Sequence, residues 1–417
     1  MKKNWETKKL GEMCDLLNGF AFRSKDYIKS SNTMNFRMSQ IRPGGGIDLD
    51  NNPKYLPDSF REKYKDYLLN NGDIVIAMTD MATETKILGV PTIIKTDTRK
   101  LLLNQRVGKL CKIDQTKIFI PFLRYVLISS KINDYYKSLG RGGLQINIGK
   151  QDILNARIPL PSLTEQKRIV IMLDETFTSL AQTKENAEKN LRNARELFES
   201  YLQSVFRNSG KEWEEKRLAE MCEIKPQKSE ARTKLKNTDV VSFVPMKDLG
   251  IKKKWFVSVK ERTLKEVEGS YTYFADRDVL LAKITPCFEN GKLGIASNLK
   301  NGIGFGSSEF IVFRTNKGLS PEFLYYYLSR KEFRQEGSKR MMGAVGHKRV
   351  SKEFIEKSII PIPVLLEQNR VVVKLDALSA ETKKLEAVYQ KKLTDLEELK
   401  KSILQKAFNG ELVGGCS

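Results

Sequence analysis

A chain of 417 residues with 40% hydrophobic and 30% charged side chains is long enough for more than one buried core. Its 73 Lys and Arg against 51 Asp and Glu give a formal charge of +22, which points to a polyanionic partner. No run approaches the roughly 18 apolar residues of a membrane span, the Met1–Glu6 start lacks the apolar stretch of a signal peptide, and Cys14, Cys111, Cys222, Cys287 and Cys416 fit neither a disulfide framework nor a zinc site.

The expectation is a cytoplasmic protein with reduced thiols and no membrane partner. In chain order, Trp5-Glu6, Lys8-Lys9-Leu10 and Glu12-Met13-Cys14 open a region of short strands and turns. Asp73–Met78 reads as a buried strand, with further strands at Ile93-Ile94 and Val107–Leu110, and turns at Pro43–Gly46, Asn51–Pro53 and Asn70–Gly72. The spacing of Phe122, Tyr125, Val126, Ile132 and Tyr136 predicts one helix over Pro121–Ser138. Ile158-Pro159-Leu160-Pro161 then leads through Glu165-Gln166 into a stretch free of Pro and Gly as far as Phe206. Apolar or small residues recur there in 4-3 spacing at Leu173, Phe177, Leu180, Ala187, Leu191, Ala194, Phe198, Tyr201 and Val205, as in a helix that pairs with another helix.

The chain then repeats itself. Trp213-Glu214, Lys216-Arg217-Leu218 and Glu220-Met221-Cys222 return the opening 208 residues later. Asp278–Lys283 and Glu309–Arg314 answer the earlier strands, and Pro321–Glu336 answers the earlier helix. Ile360-Pro361-Ile362-Pro363 and Glu367-Gln368 follow at an offset of 202. A second long helix to Phe408 carries Leu375, Leu378, Leu385, Tyr389, Leu393, Leu396, Leu399 and Ile403. A duplicated unit of about 200 residues indicates repeat architecture.

Charge follows the same division. Residues 1–165 carry +10 (27 basic, 17 acidic) and 206–365 carry +11 (31 basic, 20 acidic). The helical stretches 166–205 and 366–417 carry 0 and +1. Two basic regions alternate with two nearly neutral ones, a split footprint for nucleic acid. The fold class expected is α+β: two globular domains separated by two long helices that form an antiparallel coiled coil, with a pseudo-twofold internal repeat. The boundaries expected are 1–157 and 210–358 for the globular domains, and 158–209 and 359–417 for the regions holding the helices. A helix of about 40 residues spans roughly 60 Å, so such a rod would set half-sites more than one DNA turn of about 34–36 Å apart.

Catalysis finds no footing in the sequence. His347 is the sole histidine, and Gly140–Gly143 and Gly302–Gly306 lack the strand–loop–helix context of a nucleotide-binding turn. No catalytic or metal-binding residues are assigned.

Several segments together resemble the DNA-specificity subunit of type I restriction–modification enzymes, over nearly the whole chain. They are Trp5–Gly11, Asn18–Phe22, Ile76–Asp80 with Leu88-Gly89, Leu103–Leu110 and Ile158–Val170 in the first copy, and Leu281–Lys292, Ser307–Phe310 and Ile360–Val373 in the second. The resemblance implies a non-catalytic subunit whose two globular domains are target-recognition domains, together reading an asymmetric bipartite target in double-stranded DNA. It also implies two adenine-N6 methyltransferase subunits as partners, and two restriction/translocase subunits in the full complex. No cofactor is bound by this chain on that reading; S-adenosylmethionine, ATP and Mg2+ belong to the partners. Because the first recognition domain begins almost at residue 1, the pseudo-circular arrangement would be closed by the C-terminal helix and the tail Gly410–Ser417. Alternatives are a standalone DNA-binding architectural or regulatory protein, a hub that only assembles other proteins, and an enzyme with scattered catalytic residues.

Base reading requires side chains that match donor and acceptor patterns. The candidates in the first domain are Arg23, Lys25, Arg37, Arg42, Thr79, Arg141, Gln145 and Asn147. Those in the second are Lys252, Lys253, Lys254, Lys283, Thr285, Glu289, Asn290, Lys292, Lys339, Arg340, His347, Lys348 and Arg349. Gly343–Arg349 is the expected counterpart of Arg141–Asn147. Phosphate contacts outnumber base contacts in such interfaces. Trp5 and Trp213 are expected to anchor cores. Glu165, Gln166, Glu367 and Gln368 cap or orient the helices, and the resemblance also sets them near the methyltransferase partners.

Overall fold

The structure, a computed structural model, describes residues 5–83, 85–210, 212–258, 260–344 and 346–411. Cys416 and the tail beyond Glu411, like Val345 within the Gly343–Arg349 loop, lie outside the described residues. The chain forms two compact units, Met1–Asn186 with Lys391–Ser417, and Ala187–Gln390, so each takes a stretch of both long helices.

In the first unit the opening strand Glu6–Lys9 pairs antiparallel with Arg157–Leu160, tying the chain's start to its Pro-x-Pro segment. One four-stranded sheet runs Pro91–Ile93, Ile74–Ala77, Val107–Cys111, Asp15–Asn18, and a second runs Tyr55–Leu56, Thr33–Phe36, Lys100–Leu103, Leu68–Leu69. Ile74–Ala77 is buried along its length, as an unbroken apolar run requires of a central strand. Lys100–Leu103 pairs parallel with Thr33–Phe36.

The second unit repeats this plan. Glu214–Arg217 pairs with Ile359–Ile362, and Ile303–Gly306 pairs parallel with Val240–Val244. Its sheets run Cys222–Ile224, Phe310–Thr315, Val279–Ala282, Leu293–Ala296, Trp255–Phe256, and Glu261–Thr263, Val240–Val244, Ile303–Gly306, Thr272–Ala275. Strand for strand the order matches the first unit, with Trp255–Phe256 added at one edge.

Each helix expected between strands and linker proves to be two. Ile120–Leu127 and Ser130–Leu139 are separated at Ser129, whose backbone is extended and whose hydroxyl donates to the Val126 carbonyl at 2.6 Å. Pro321–Ser329 and Lys331–Lys339 are separated at Arg330. There the side-chain Nε donates to the Tyr327 carbonyl at 3.0 Å and the guanidinium lies 4.1 Å from the centre of the Tyr327 ring. In both, a side chain takes a carbonyl that the helix would otherwise use.

The long helices are Leu163–Arg207 and Leu365–Phe408. In the first unit Ile169 and Leu173 share a core with Leu404 and Ala407, and Lys184 pairs with Glu397 at 2.6 Å. In the second, Leu202 and Phe206 share a core with Leu375, and Arg195 pairs with Glu386 at 2.9 Å. The two helices therefore run antiparallel in each unit. Buried positions on the first helix include the expected Leu173, Ala187, Leu191 and Ala194. On the second, Leu385 and Leu399 are exposed instead of inward, and Thr382 is buried. Its hydroxyl returns a bond to Leu378 O at 2.9 Å, so it occupies the seam without an unmet polar group.

Trp5 and Trp213 pack against their cores, Trp213 with its ring centre 5.8 Å from that of Phe323. Cys14, Cys111, Cys222 and Cys287 are free thiols, and burial pushes Cys14 and Cys222 up to about 12. Among the described residues, no helix is long and apolar enough to cross a membrane.

Candidate nucleic-acid interface

In the first unit the buried strand Ile74–Ala77 runs on into Thr79–Met81, which leaves its sheet and pairs antiparallel with Gln145–Asn147. Gln145 stands opposite Met81, and Asn147 opposite Thr79. Met78 N donates to Arg106 O, and Ile148 N to Met78 O, both at 2.9 Å. Gln105 N donates to Phe20 O at 3.1 Å. Segments from four separate motifs, around residues 20, 80, 105 and 147, thus meet at one end of the sheets.

The recurring residues there serve the backbone. Asp80 is buried, and its Oδ2 accepts from Leu88 N at 3.0 Å and from Ile87 N at 2.5 Å, which closes the loop after the strand. Gly89 follows at φ +72°, where a Cβ would stand 2.2 Å from the Tyr136 ring. Thr79, expected to touch a base, is 3% exposed. Its hydroxyl donates to Asn147 Oδ1 at 2.6 Å, so it orients an exposed neighbour and presents little surface itself. Arg141 and Asn147 exchange both backbone bonds, at 3.1 and 2.9 Å, and both side chains are exposed.

The other first-unit candidates hold other turns. Arg23 and Lys25 are exposed around the turn Ser24–Asp26. Arg37 is half-buried, and its amide donates to Gln40 Oε1 at 2.7 Å. Arg42 is engaged by Asp48 at 2.6 Å and by Ser39 O at 3.0 Å.

The second unit builds the same edge with different side chains. Lys283 N donates to Glu309 O, Val350 N to Lys283 O, and Thr285 N to Lys348 O, each at 2.9 Å. Arg349 exchanges backbone bonds with Met342, so Met342 stands where the first unit has Arg141, and Arg349 where it has Asn147. The register is therefore one residue off the expected start at Gly343. Arg349 grips Glu309 with Nε and Nη2, both at 2.8 Å, and this holds the Glu309 carboxyl below its usual range. Thr285 Oγ1 donates to Glu289 Oε1 at 2.8 Å, and Lys283 Nζ to Ser308 O at 2.9 Å. His347 and Lys348 are exposed beside them.

Other second-unit candidates are spent elsewhere. Lys292 Nζ donates to Met246 O at 2.8 Å, and Lys339 and Arg340 pair with Glu336 at 2.8 and 3.7 Å. Lys252–Lys254 is docked on the long helices: Lys254 binds Asp376 at 2.5 Å, and Lys252 lies 3.6 Å from Glu199. Lys254 is thereby removed from the free cations, whereas Lys253 stays exposed. Asn290, also exposed, lines a cavity of about 420 Å³ beside that loop, away from Arg349.

The Glu-Gln pairs divide in role. Gln166 and Gln368, expected at a partner surface, are fully buried. Gln166 accepts from Phe119 N at 2.8 Å and donates to Lys117 O and Pro161 O at 2.9 Å. Gln368 accepts from Ser320 N at 2.9 Å and donates to Gly318 O at 2.8 Å and Pro363 O at 2.9 Å. Each amide ties its long helix to the loop ahead of the first short helix and to the Pro-x-Pro strand. Two further braces escaped sequence reasoning. The hydroxyls of Tyr125 and Tyr326 donate to Asp174 and Asp376, and burial, together with these carboxylates, raises both phenols, Tyr125 to about 12. Their signal was recurrence at offsets of 201 and 202. Among the described residues, no group of three or more His, Cys, Asp or Glu could hold a metal ion.

The model of the type I restriction modification DNA specificity domain matches twice, over residues 2–190 and 210–395. The chain belongs to this type I DNA-specificity family. It is similar to the type I restriction enzyme EcoAI specificity subunit of Escherichia coli, 35% identical over 186 residues, 44% of this chain and 30% of that protein. Alignments to the curated relatives most strongly matched therefore span under a third of their length. The EcoKI specificity subunit of E. coli K12 is 24% identical over 99% of this chain and 90% of its own. Two solved structures share the fold. The HsdS subunit from Thermoanaerobacter tengcongensis has a TM-score of 0.58 at 21% identity, with 98% and 97% of the chains covered. A chain from a study of complex assembly and conformational transition in the type I R-M system has a TM-score of 0.72 at 20% identity, with 99% and 100% covered. The two matches place one specificity domain in each copy of the repeat.

Proposed function

We propose that this chain is the DNA-reading subunit of a type I restriction–modification complex. It recognises an asymmetric bipartite target in double-stranded DNA and positions two adenine-N6 methyltransferase subunits on it, with two nuclease/translocase subunits joining the full assembly. The chemistry is carried by those partners, with S-adenosylmethionine, ATP and Mg2+; this chain selects the site. On this reading residues 1–157 and 210–358 are the recognition domains, and 158–209 and 359–417 hold the helices. Groups at the sheet ends, chiefly the exposed Arg141 and Asn147 with the half-buried Gln145 in one unit and the exposed His347, Lys348 and Arg349 in the other, contact DNA. Glu165 and Glu367, partly exposed beside the buried glutamines, are the partner-facing members of their pairs.

One observation carries this reading. The same backbone edge is built twice, and the side chains it displays differ: Arg141 and Asn147 in one copy, Met342 and Arg349 in the other. A homodimeric reader would display identical groups and favour a palindrome; a diverged pair favours two unlike halves. The test is adenine-methylation mapping of cells that co-express this chain with its methyltransferase partners. Replacing residues 1–157 with the matching segment of another family member should change one half of the methylated motif and leave the other intact. A motif changed in both halves, or in neither, defeats the proposal.

A further inference from the structure

At the edge of the first unit, Gln145 is the best-placed reader that the chain does not itself use. No described residue bonds to its side-chain amide, unlike that of Asn147, whose Oδ1 is held by Thr79. Its backbone is fixed by register against Met81, and Ala82 N donates to Leu144 O at 3.0 Å, so the tip of the hairpin is pinned. Met81 stands directly opposite it, on the same face of the ladder, and is 46% exposed. A lone exposed apolar side chain carries no information. A large apolar side chain paired in register with an unpartnered amide, on a pinned hairpin between Arg141 and Asn147, forms a composite surface.

We infer that Gln145 and Met81 together read one adenine–thymine pair in the major groove. Resting on the DNA-reading function proposed above, this assigns it a base pair. In that groove the adenine presents N7 as an acceptor and its N6 amino group as a donor, which a glutamine amide matches in both senses. Its partner thymine presents a methyl group, the one apolar feature of the groove, which Met81 is chemically suited to cover. A guanine–cytosine pair would set an acceptor against the amide oxygen and offer no methyl. Arg141 and Asn147, on the same hairpin, are then left to contact neighbouring phosphates or bases.

The experiment uses the full chain co-purified with its methyltransferase partners and a duplex carrying the target found by methylation mapping. Each thymine is replaced in turn by deoxyuridine, which removes only the methyl, and each adenine by 7-deazaadenine, which removes only N7. Affinity is read by fluorescence anisotropy. At one base pair the wild-type complex should lose about fourfold with deoxyuridine, the value of one buried methyl. It should lose about tenfold with 7-deazaadenine at the partner base. The M81A chain should lose the deoxyuridine effect and keep the 7-deazaadenine effect; Gln145→Ala should do the reverse. Both sites are exposed or half-buried, so these variants should fold, as circular dichroism would show. Indifference of the wild type to every deoxyuridine, or a methyl effect that survives in M81A, overturns the assignment while leaving DNA reading intact. A wild-type complex without sequence-specific binding overturns both.

Discussion

The buried glutamines offer the sharpest test of how recognition units are attached to their helices. Gln368 makes three hydrogen bonds, all to backbone groups, from a side chain that is 0% exposed. Gln368→Leu keeps the bulk and strands Ser320 N, Gly318 O and Pro363 O. At about 1 kcal/mol net per bond the loss is about 3 kcal/mol, rising towards 5 if the stranded groups stay dry. Since 1.4 kcal/mol is a factor of ten, local protection should fall at least a hundredfold. Amide hydrogen exchange of the full chain reads this directly over Pro321–Ser329, the helix that starts at the anchored loop. Gln368→Glu should do worse than Leu at neutral pH, because its carboxylate would face two carbonyl oxygens with no proton to give. Gln182→Ala, on an exposed helix face, is the control and should change nothing. Protection reduced less than threefold in Gln368→Leu would refute the brace and leave the recurring Glu-Gln pair without a structural purpose.

The other predictions are shorter. Gly89→Ala, at φ +72° with the Tyr136 ring 2.2 Å from the new Cβ, should destabilise the first unit by more than about 2 kcal/mol, lowering its melting temperature by at least about 4 °C; an unchanged melt would show that the loop can shift aside. Thr79→Val removes the hydroxyl that orients Asn147 and should weaken specific binding about tenfold with non-specific binding unchanged, as titration on target and scrambled duplexes would show. Glu230, bonded by Lys234 and then by Arg314, is pushed down to about 2. Its folded-state value lies below the unfolded one, so its stabilisation is fully present above about 4.5 and is lost as pH falls towards 2. The stability difference between wild type and Glu230→Gln should therefore be flat above pH 5 and shrink below it in denaturant titrations; a difference independent of pH would contradict this.

Much of the frame was legible because it is written twice in local terms. Buried strands such as Ile74–Ala77 and Val279–Ala282 are short apolar runs bounded by turns, and the long helices are period without breakers. What stayed hidden depends on partners distant in sequence. The breaks at Ser129 and Arg330 do not interrupt the apolar period; they arise when a side chain claims a carbonyl three residues back. Thr382 displaces Leu385 from the seam because a threonine in a helix can satisfy its hydroxyl on the preceding turn. Lys252–Lys254 has the composition of a solvated or DNA-facing run, yet Lys254 is held by Asp376, more than a hundred residues away in sequence.

The same distinction separates frame from reader at the candidate site. Residues that recur between the copies with the same partners, Gln166 and Gln368, Tyr125 and Tyr326, Asp174 and Asp376, have their polar groups used within the chain. At the exposed edge the copies differ in the groups they display, and Arg141 answers Met342 and Asn147 answers Arg349. A buried bond constrains both partners at once, so changing either strands the other. An exposed reader is constrained only by what it meets outside. Two copies of one frame can thus carry different reading groups without loss of fold, and Gln145, fixed in backbone with no side-chain partner among the described residues, shows that freedom in the first unit.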